Sequence, residues 1–501
     1  MMTNTGSPGY YYTQLQELMP NSVIYIDPTR IAASINTNPL TSNSHPPQCI
    51  IYPASTAELQ NLINYANQIG LNLAITSSTG NHRHGGITSS SNHVLINLSK
   101  WQKIDLIDRR NRVCRVQPGV TYGQLLEELE KRRMTLPVPL APRSGKSVLT
   151  AVMDREPCTW PNKQWDTSDP VGSTEFYFGN GELFRTGAAG GPGSINQQRA
   201  SGGALKFSSG PSQTDFHRII QGAQGTMGIL TWITLRTELK PSVQKTLLAS
   251  TQQIENLIPF VYDVQRRMLG EQSFILNHTA AAMLMASRDS SGFNKVLFES
   301  LSNANPAFLC LQNIAGFECL PQERLDYHLA DILAIADKFD LQFEEHIGSI
   351  SAENLLTKAT QTCGEVDWRD RLLGGSLSIF FLTTLDHMPA IQAQFTKTAH
   401  RFRLPESIIG IYIQPIVQNH ACHVEFIVPV DIRSKTEVKR MREFESQVIG
   451  QLIQAGAFFS RPYGSAAELV WEQNPTNHKI LKMIKGLFDP NRILQRGKWD
   501  L

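Results

Sequence analysis

The segment LNLAITSSTGNHRHGG, residues 71–86, is the part of the sequence that says most about the fold. Leu71, Leu73 and Ile75 recur at every second position, which predicts a strand. The eleven residues that follow, 76–86, comprise two serines, two threonines, three glycines, two histidines, an arginine and an asparagine. A second apolar run, HVLINL at 93–98, predicts another strand. The segment therefore predicts a polar, glycine-bearing loop between two strands, which in isolation would be a solvated turn.

Strands and helices alternate on both sides of this loop. CIIYPAS (49–55) predicts a strand, residues 55–58 have the pattern of a capping box, and the apolar residues up to Gly70 recur at helical spacing. RVCRVQPG (112–119) predicts a strand and Thr121 the start of a helix. Residues 172–187 predict a hairpin closed around 179–181, and 187–203 a surface loop rich in Gly and Ser. Residues 225–239 predict a further strand, whereas 1–48, with six prolines, are predicted to be irregular.

Residues 250–445 differ in texture from the preceding part of the chain. Helical stretches such as 323–340 alternate there with strand-like runs such as SIFFLTTL (378–385) and HVEFIVPV (423–430). This alternation predicts a separate α+β domain. The tail LFDPNRILQRGKWDL (487–501) is predicted to be compact and rich in turns.

Composition limits the classes of function. The 501 residues are 41% hydrophobic and 18% charged, with a formal net charge of +2, which predicts a globular protein of two to four domains. Nothing in this charge balance suggests a nucleic-acid or membrane surface. The seven scattered cysteines form no CxxC pair, so we expect mostly buried free thiols and no metal site. The N-terminus lacks a signal-peptide pattern, and no apolar run reaches the ~20 residues of a membrane span, which predicts a cytoplasmic protein.

Six stretches, in order, resemble the vanillyl-alcohol oxidase type of PCMH-type FAD-binding oxidoreductases, most closely the 4-alkylphenol-oxidising branch. They are LNLAITSSTGNHRHGG (71–86), VCRVQPGVTYGQLLEEL (113–129), GKSVLTAVMDREPCTWP (145–161), EFYFGNGELFRTG (175–187), GTMGILTWITLRTELKP (225–241) and FDPNRILQRGKW (488–499). The resemblance implies an α+β protein: a two-lobed PCMH-type FAD-binding domain with a ferredoxin-like α+β substrate cap. It implies an N-terminal extension (1–44), an FAD-binding domain (45–240), a cap (241–444) and a C-terminal segment that returns to the FAD domain (445–501).

The resemblance makes the polar loop a cradle for the FAD diphosphate. Glycines allow close approach of the backbone, and hydroxyl groups can donate hydrogen bonds to phosphate oxygens. The Rossmann GxGxxG fingerprint is absent, so this different architecture would have to hold the dinucleotide. The cofactor-binding residues implied by the resemblance are Ser77, Ser78, Thr79, Gly80, Asn81, His82, Gly85, Pro118, Gly119, Ser147, Asp154, Gly228, Ile229, His423 and Lys498.

Three histidines and one arginine are the candidates for substrate and flavin chemistry. His84 falls where the phenol branch has a substrate-binding tyrosine, although a polar loop residue near a phosphate is an equally good interpretation. His420 and His423 lie in NHACHVEFIV, which resembles the strand that donates a covalent flavin-linking histidine, with His423 in the linking position. Arg461, in FFSRPYG, matches a Tyr-Arg pair that holds a phenolate, and a guanidinium would stabilise a phenolate or a carboxylate. The predicted catalytic residues are therefore Arg461, His84 and His420.

The sequence also departs from the phenol branch. Ser460 replaces the tyrosine of the Tyr-Arg pair, PLAPRSGKS (139–147) lacks the expected carboxylate, and Thr150 and Glu156 stand where glycines are expected. The tyrosines that deprotonate the phenol are not evident. Asp154 is expected to be structural or to lie next to the flavin, and not to act as a base.

The leading hypothesis is an FAD-dependent oxidoreductase that transfers a hydride from a small alcohol or phenolic substrate to flavin N5, with oxygen or a redox partner protein as the acceptor. One alternative is a 2-hydroxy-acid dehydrogenase of the same fold, of the D-lactate or glycolate kind, in which Arg461 binds a carboxylate. The other is a catalytically impaired flavin-binding protein. A homodimer stays open, and no nucleic-acid, membrane or metal partner is expected.

Overall fold

The computed structural model describes residues 8–34, 40, 45–80, 83, 92–164, 166, 168–200, 207–211, 216–286, 294–302 and 307–499. The strands of this part of the chain are β1 Val23–Tyr25, β2 Cys49–Tyr52, β3 Asn72–Thr76, β4 His93–Asn97, β5 Ile104–Asp108, β6 Val113–Val116, β7 Met134–Thr135, β8 Val171–Phe178, β9 Leu183–Arg185, β10 Gly228–Arg236, β11 Glu238–Leu239, β12 Val243–Thr251, β13 Ser273–Asn277, β14 Phe308–Gly316, β15 Phe343–Glu344, β16 His346–Ile347, β17 Ile350–Ser351, β18 Ser376–Thr383, β19 Gly410–Ile416 and β20 Ala421–Pro429.

Its α-helices are α1 Pro8–Leu18, α2 Pro28–Ser34, α3 Thr56–Ile69, α4 Tyr122–Glu130, α5 Val148–Met153, α6 Ile195–Ala200, α7 His217–Ile220, α8 Ile258–Arg266, α9 His278–Met285, α10 Lys295–Ser302, α11 Pro321–Lys338, α12 Ala352–Thr360, α13 Met388–Arg401, α14 Lys435–Gln454, α15 Gly464–Gln473 and α16 Pro475–Phe488. None of the helices in the described ranges is long and apolar enough to cross a membrane.

The N-terminal half contains two sheets that form two lobes. The first has the order β1-β2-β4-β3, with parallel pairing of β2, β3 and β4, and the second has the antiparallel order β5-β6-β10-β8-β9. The third large sheet belongs to residues 243–429 and has the order β15-β12-β14-β13-β19-β20-β18. This arrangement of two small sheets and one larger sheet agrees with the predicted α+β class.

Local sequence signals explain how the first lobe begins and ends its helices. Ser55 caps α3 by accepting a hydrogen bond from the backbone N–H of Glu58, and Gly70 ends the helix at φ +69°. The predicted capping box is wrong in its second half, because the Glu58 carboxylate accepts hydrogen bonds from Asn21 and Ser22. Thr121 and Gln124 form the reciprocal box at the start of α4.

Two predictions about irregular segments need correction. Residues 8–34 form α1, β1 and α2, and β1 pairs with β2, so this described part of the N-terminal region is not irregular. Part of the predicted loop 187–203 is helical, in the 3-10 turn Gly187–Gly190 and in α6. The hairpin of β8 and β9 around residues 179–181 is confirmed.

The C-terminal segment lies against the first lobe. Leu73 in β3 donates a backbone hydrogen bond to Ile493, and Gln495 donates one to Leu73, so residues 493–495 extend the sheet beside β3. Helix α14 packs against α13 and β18, and Phe458 bridges to Leu382 in β18. These contacts favour a cap that continues to about residue 459, a boundary that we propose in place of 444.

Candidate functional site

Two adjacent cavities share a wall: cavity A lies between the two lobes, and cavity B lies between the lobes and the cap. Cavity A is lined by the end of β3 (75–78), Pro118, α5, residues 220–230 and the C-terminal residues Gln495 and Lys498. Cavity B is lined by residues 139–143, the segment after α5, the turn around 367–369, the strands β18 to β20 and residues 461–463. They enclose about 880 and 950 Å³ of empty space, counting the part open to solvent. Ser78, Thr150, Asp154 and Tyr463 line both cavities.

The polar loop after β3 is fastened to the segment before α5. The hydroxyl groups of Ser77 and Thr150 are 2.7 Å apart, and the Ser78 hydroxyl accepts the backbone N–H of Ser147 at 3.0 Å. Thr79 donates both its N–H and its hydroxyl to the Gly145 carbonyl, at 2.9 and 3.1 Å. Ser77 and Ser78 therefore line cavity A, whereas Thr79 lines neither cavity, because its hydroxyl holds the loop in place.

The remaining loop residues divide into a glycine with a conformational role and residues of undescribed placement. Gly80 has φ +72°, and a Cβ there would lie 2.5 Å from Nη1 of Arg143. It packs against this arginine and lines neither cavity. The predicted site residues Asn81, His82, His84 and Gly85 lie outside the described residues.

The other predicted cofactor residues have different roles around cavity A. Pro118, Gly228 and Ile229 line it. Gly119 does not, because its backbone lies against Leu98 and Ser99, so that a Cβ would be 2.6 and 2.5 Å from their carbonyl oxygens. Ser147 caps α5 and donates its hydroxyl to the Pro118 carbonyl at 2.6 Å, so it acts as a link between the walls.

Lys498 places an amine in the wall of cavity A. Its Nζ donates to the Gln224 carbonyl at 3.3 Å. Burial lowers the pKa of Lys498 to about 8, against the opposing effect of the Asp154 carboxylate. A buried amine in this position suits an anionic ligand.

The position of Lys498 depends on a buried ion pair in the C-terminal segment. Lys485 and Asp489 pair one helical turn apart, with side chains 1% and 0% exposed. The Asp489 carboxylate also accepts the backbone N–H groups of Ile493 and Leu494, both at 2.9 Å, and Lys485 donates to the Leu494 carbonyl at 3.1 Å. This is the structural reason for the FDPNRIL motif: it fixes the turn that returns the chain to β3.

The cap contributes a row of charged residues to cavity B. Successive side chains of a strand alternate between faces, so His423 and Glu425 of β20 share one face. Arg369, in the 3-10 turn Trp368–Asp370, binds Glu425 through two hydrogen bonds of 2.7 and 2.8 Å. Burial would raise the pKa of Glu425, but the Arg369 guanidinium outweighs it and holds the pKa at about 2. The pair is therefore ionised at neutral pH.

Arg83 joins the polar loop to the cap. Its guanidinium donates to Asp370 at 2.7 Å and to the hydroxyls of Ser376 and Ser378, at 2.9 and 2.7 Å, on one face of β18. Asp367 lies 3.7 Å from the same guanidinium. Although burial alone would raise the pKa of Asp367, Arg83 and Arg369 hold it well below its usual range.

Asp154 and Tyr463 form a hydrogen-bonded pair on the wall that the two cavities share. The Tyr463 hydroxyl donates to Oδ2 of Asp154 at 2.8 Å. Burial raises the pKa of Asp154, while the bond from Tyr463 opposes that rise. Burial also raises the pKa of Tyr463 well above 10, and the Asp154 charge adds to the shift, so the hydroxyl keeps its proton at neutral pH. This arrangement can accept a proton from a bound hydroxyl group.

Arg461 and His423 complete this part of cavity B. The Arg461 guanidinium carbon lies 4.5 Å from the centre of the Phe380 ring, and no carboxylate of the described residues forms an ion pair with it. His423 is buried between the rings of Phe380 and Tyr412, at 6.0 and 5.7 Å. Burial lowers the pKa of His423 to about 3, and the Arg461 charge adds to the effect, so the ring is neutral.

The structure separates the two histidines of the cap. His420 is exposed in the turn between β19 and β20 and lines neither cavity, so its catalytic role stays a prediction without support from these cavities. The turn residues Val417, Gln418 and Asn419 all have positive φ, and this tight reversal turns the chain before β20 starts at Ala421. His423, three residues later and inside the strand, faces cavity B.

Several site residues were missed at the sequence level. All of them line cavity B, and they are Arg83, Arg143, Lys146, Glu156, Asp367, Arg369, Phe380, Tyr412, Glu425 and Tyr463. Carboxylates and tyrosines are therefore present, but they come from segments other than those in which the phenol branch led us to expect them. Lys146 forms an ion pair with Glu156 across α5, and Glu156 stands at one of the two positions where the phenol branch led us to expect a glycine. Period-two spacing in HVEFIV could have indicated Glu425 beside His423.

All seven cysteines are free, and Cys319 is the exposed one. Within the described ranges, no group of three or more His, Cys, Asp or Glu side chains could hold a metal ion.

The comparisons with known proteins concern both the whole fold and a segment that contributes to both lobes. Residues 47–187 match the family model described as "FAD binding domain". The chain superposes on p-cresol methylhydroxylase with substrate bound, with a TM-score of 0.79 and 17% identity over 100% of this chain and 98% of the other. It superposes equally well on 4-ethylphenol oxidase from Gulosibacter chungangensis, with a TM-score of 0.79 and 16% identity over the same shares. The predicted fold class is thereby confirmed.

Curated relatives belong to two substrate classes. The chain is 20% identical to the glycolate oxidase subunit GlcD of Bacillus subtilis (strain 168), over 90% of this chain and 88% of the relative. It is 21% identical to the 4-cresol dehydrogenase [hydroxylating] flavoprotein subunit of Pseudomonas putida, over 92% and 89%. It is 25% identical to a D-lactate dehydrogenase of Anaerostipes hadrus, over 90% and 89%.

Proposed function

We propose, from the premise that residues 47–187 are an FAD-binding domain, that this chain is an FAD-linked oxidoreductase acting on a small hydroxylated anion. The observation that carries the proposal is Arg461, a guanidinium without an ion-pair partner among the described residues. It lies in cavity B beside the Asp154–Tyr463 pair, on the wall shared with cavity A. An anion-binding group next to a proton-accepting pair is the minimum that such an oxidation needs from the protein.

Cavity A fits FAD by the chemistry of its wall. Lys498 supplies a buried amine for an anionic diphosphate, and the hydroxyls of Ser77 and Ser78 lie on the same wall. Oε1 of Gln495 is buried there without a hydrogen-bond partner among the described residues, so it can accept from a cofactor N–H or hydroxyl group. When bound, FAD would supply two-electron chemistry by accepting a hydride from the substrate carbon.

The chain's own residues would bind and deprotonate the substrate. Arg461 holds its anionic group, and the fork of the guanidinium orients it. The substrate hydroxyl gives its proton to the Tyr463 oxygen while the Tyr463 proton passes to Oδ2 of Asp154. Burial prepares Asp154 for this role, because the raised pKa makes its carboxylate a stronger base.

The chemistry of cavity B favours a 2-hydroxy acid. Nine ionisable residues besides His423 and the two tyrosines line it, namely Arg83, Arg143, Lys146, Asp154, Glu156, Asp367, Arg369, Glu425 and Arg461. A substrate with a long apolar part would keep water from these charged groups without hydrogen-bonding to them, which is costly. A compact molecule with a carboxylate and an adjacent hydroxyl would form hydrogen bonds with these groups and would avoid this cost.

A phenolic substrate, the class first expected, is the second candidate. Phe380, Tyr412 and Tyr463 give cavity B three aromatic walls around Arg461, which would suit a phenolate ring. Oxygen or a redox protein would reoxidise the flavin in either case. The proposal includes a covalent link between FAD and His423, whose ring is buried and neutral.

The test is anaerobic reduction of the FAD-loaded protein, followed at the visible flavin band. D-2-hydroxy acids, 4-alkylphenols and small neutral alcohols are compared in wild type and in Arg461→Met. We expect bleaching by a 2-hydroxy acid, with its KM raised at least about tenfold in the variant, as for loss of a charge-assisted hydrogen bond. Bleaching by neutral alcohols alone, or equal KM values in both proteins, would contradict the role of Arg461.

A further inference from the structure

The charges that line cavity B are mostly balanced in pairs. Arg369 binds Glu425, Lys146 binds Glu156, and Arg83 binds Asp370 just outside the cavity, with Asp367 close to both arginines. The carboxyl group of Asp154 accepts a hydrogen bond from Tyr463. Asp154 also lines cavity A, where the Lys498 amine lines the wall too.

Two guanidinium groups are left without such a balance. They are Arg461, described above, and Arg143. They come from different segments of the chain, Arg143 from the stretch between β7 and α5 and Arg461 from the stretch after α14.

Arg143 is buried, with only 6% of its surface exposed, and the ion pair that it forms is a weak one. Its Nη1 is buried and has no hydrogen-bond partner among the described residues. The nearest carboxylate oxygen belongs to Glu365, 4.0 Å away, on a side chain that is 75% exposed. An exposed partner at this distance contributes little, so the charge of this buried guanidinium on the wall of cavity B is left for a ligand.

We propose that cavity B binds a dianion, with one carboxylate on Arg461 and a second anionic group, a carboxylate or a phosphate, on Arg143. The substrate class becomes a 2-hydroxy dicarboxylate or the phosphate ester of a 2-hydroxy acid. This inference rests on the proposed function and narrows it. Pro139–Pro142, which precede Arg143, form the wall from which the guanidinium reaches the cavity.

The contacts around Arg143 hold this residue in place on the wall of cavity B. Gly80 lies against the guanidinium, and a Cβ there would be 2.5 Å from Nη1. The backbone N–H of Cys363 donates to the Pro142 carbonyl at 2.9 Å, and that of Ser144 donates to the Gly364 carbonyl at 3.1 Å. Residues on both sides of Arg143 are thus hydrogen-bonded to the cap, which holds the backbone from which the Arg143 side chain extends.

The experiment measures binding and reduction in the FAD-loaded protein. Non-oxidisable glutarate and butyrate are titrated against the visible flavin spectrum to obtain their Kd values. Malate, 2-hydroxyglutarate, 3-phosphoglycerate and lactate are compared as reductants. The variants are Arg143→Met, the conservative Arg143→Lys and, as a matched control, Arg132→Met, whose side chain is 44% exposed after α4.

We expect wild type to bind glutarate at least about tenfold more tightly than butyrate, the ratio expected from one added charge-assisted hydrogen bond. Arg143→Met should abolish most of this ratio, Arg143→Lys should restore part of it, and Arg132→Met should keep it. A preference for 3-phosphoglycerate over the dicarboxylates would identify phosphate as the second group, and the reverse order a carboxylate.

Three outcomes would overturn the inference. They are a wild type that does not prefer dianions, an Arg143→Met variant that weakens both ligands equally, and a variant that loses FAD, which would assign Arg143 to the cofactor. If no acid of either charge perturbs or reduces the flavin, the proposed function itself fails. If monoanions reduce it as well as dianions do, only the dianion inference fails.

Discussion

Replacing Tyr463 by Phe removes one hydrogen bond from the wall between the two cavities and keeps the ring. The lost bond, 2.8 Å from the Tyr463 hydroxyl to Oδ2 of Asp154, ends on a buried carboxylate. A hydrogen bond to a charged group contributes about 1.5–3 kcal/mol. Because one pKa unit corresponds to about 1.4 kcal/mol, its loss should raise the pKa of Asp154 by about one to two units.

The sign of the effect follows from the role of the carboxylate. Burial already raises the pKa of Asp154, and the bond from Tyr463 is the strongest opposing influence. Since Asp154 must be ionised to accept a proton, activity falls as the pH drops through its pKa. The acid limb of the pH profile should therefore move to higher pH in Tyr463→Phe, and the remaining activity should be lower at every pH because the variant lacks the hydroxyl that relays the substrate proton.

The assay is the pH dependence of kcat/KM for flavin reduction, which reports ionisations of the free enzyme. Tyr412→Phe is the matched control, because the Tyr412 hydroxyl donates to Gln414 at 2.9 Å and not to Asp154. Its acid limb should stay at the wild-type pH. An unmoved limb in Tyr463→Phe, or equal shifts in both variants, would refute the reasoning.

Two further predictions concern the C-terminal segment and the histidines. Asp489→Ala leaves Lys485 charged and buried, so the free energy of unfolding in urea should fall by about 3–5 kcal/mol. The double variant Lys485→Met/Asp489→Asn removes both charges, so its free energy of unfolding should fall by less. A larger fall in the double variant would contradict this account. If His423 is covalently linked to the flavin, acid precipitation should give a yellow pellet for the wild type and for His420→Ala. His423→Ala should instead release its flavin and give a yellow supernatant. A colourless wild-type pellet would exclude the link.

The fold was predictable because its signals are local and ordered. The caps at Ser55 and Thr121, the stop at Gly70 and the hairpin around 179–181 each depend on a few neighbouring residues. The second half of the capping box at Glu58 failed because its carboxylate is used by Asn21 and Ser22, 37 and 36 residues earlier in the chain. Long-range partners of this kind leave no trace in the local pattern.

The site was predictable only in part, for the same reason. Ser77, Asp154, Gly228, Arg461 and Lys498 belong to motifs with a recognisable order, and the structure places all of them on a cavity wall. Cavity B draws its other charged groups from several separate segments, which only the folded chain brings together. Their pairing, which decides which cations remain for a ligand, depends on distances that spacing in the sequence does not encode.

The wall shared by the two cavities has a thermodynamic consequence. Asp154 and Tyr463 face both cavities, so a ligand that polarises this pair in one cavity alters the field in the other. By reciprocity, any factor by which bound substrate tightens FAD must equal the factor by which FAD tightens substrate. Where this coupling is favourable, cofactor retention would depend on substrate supply, and the protein would hold its flavin most firmly while it has something to oxidise.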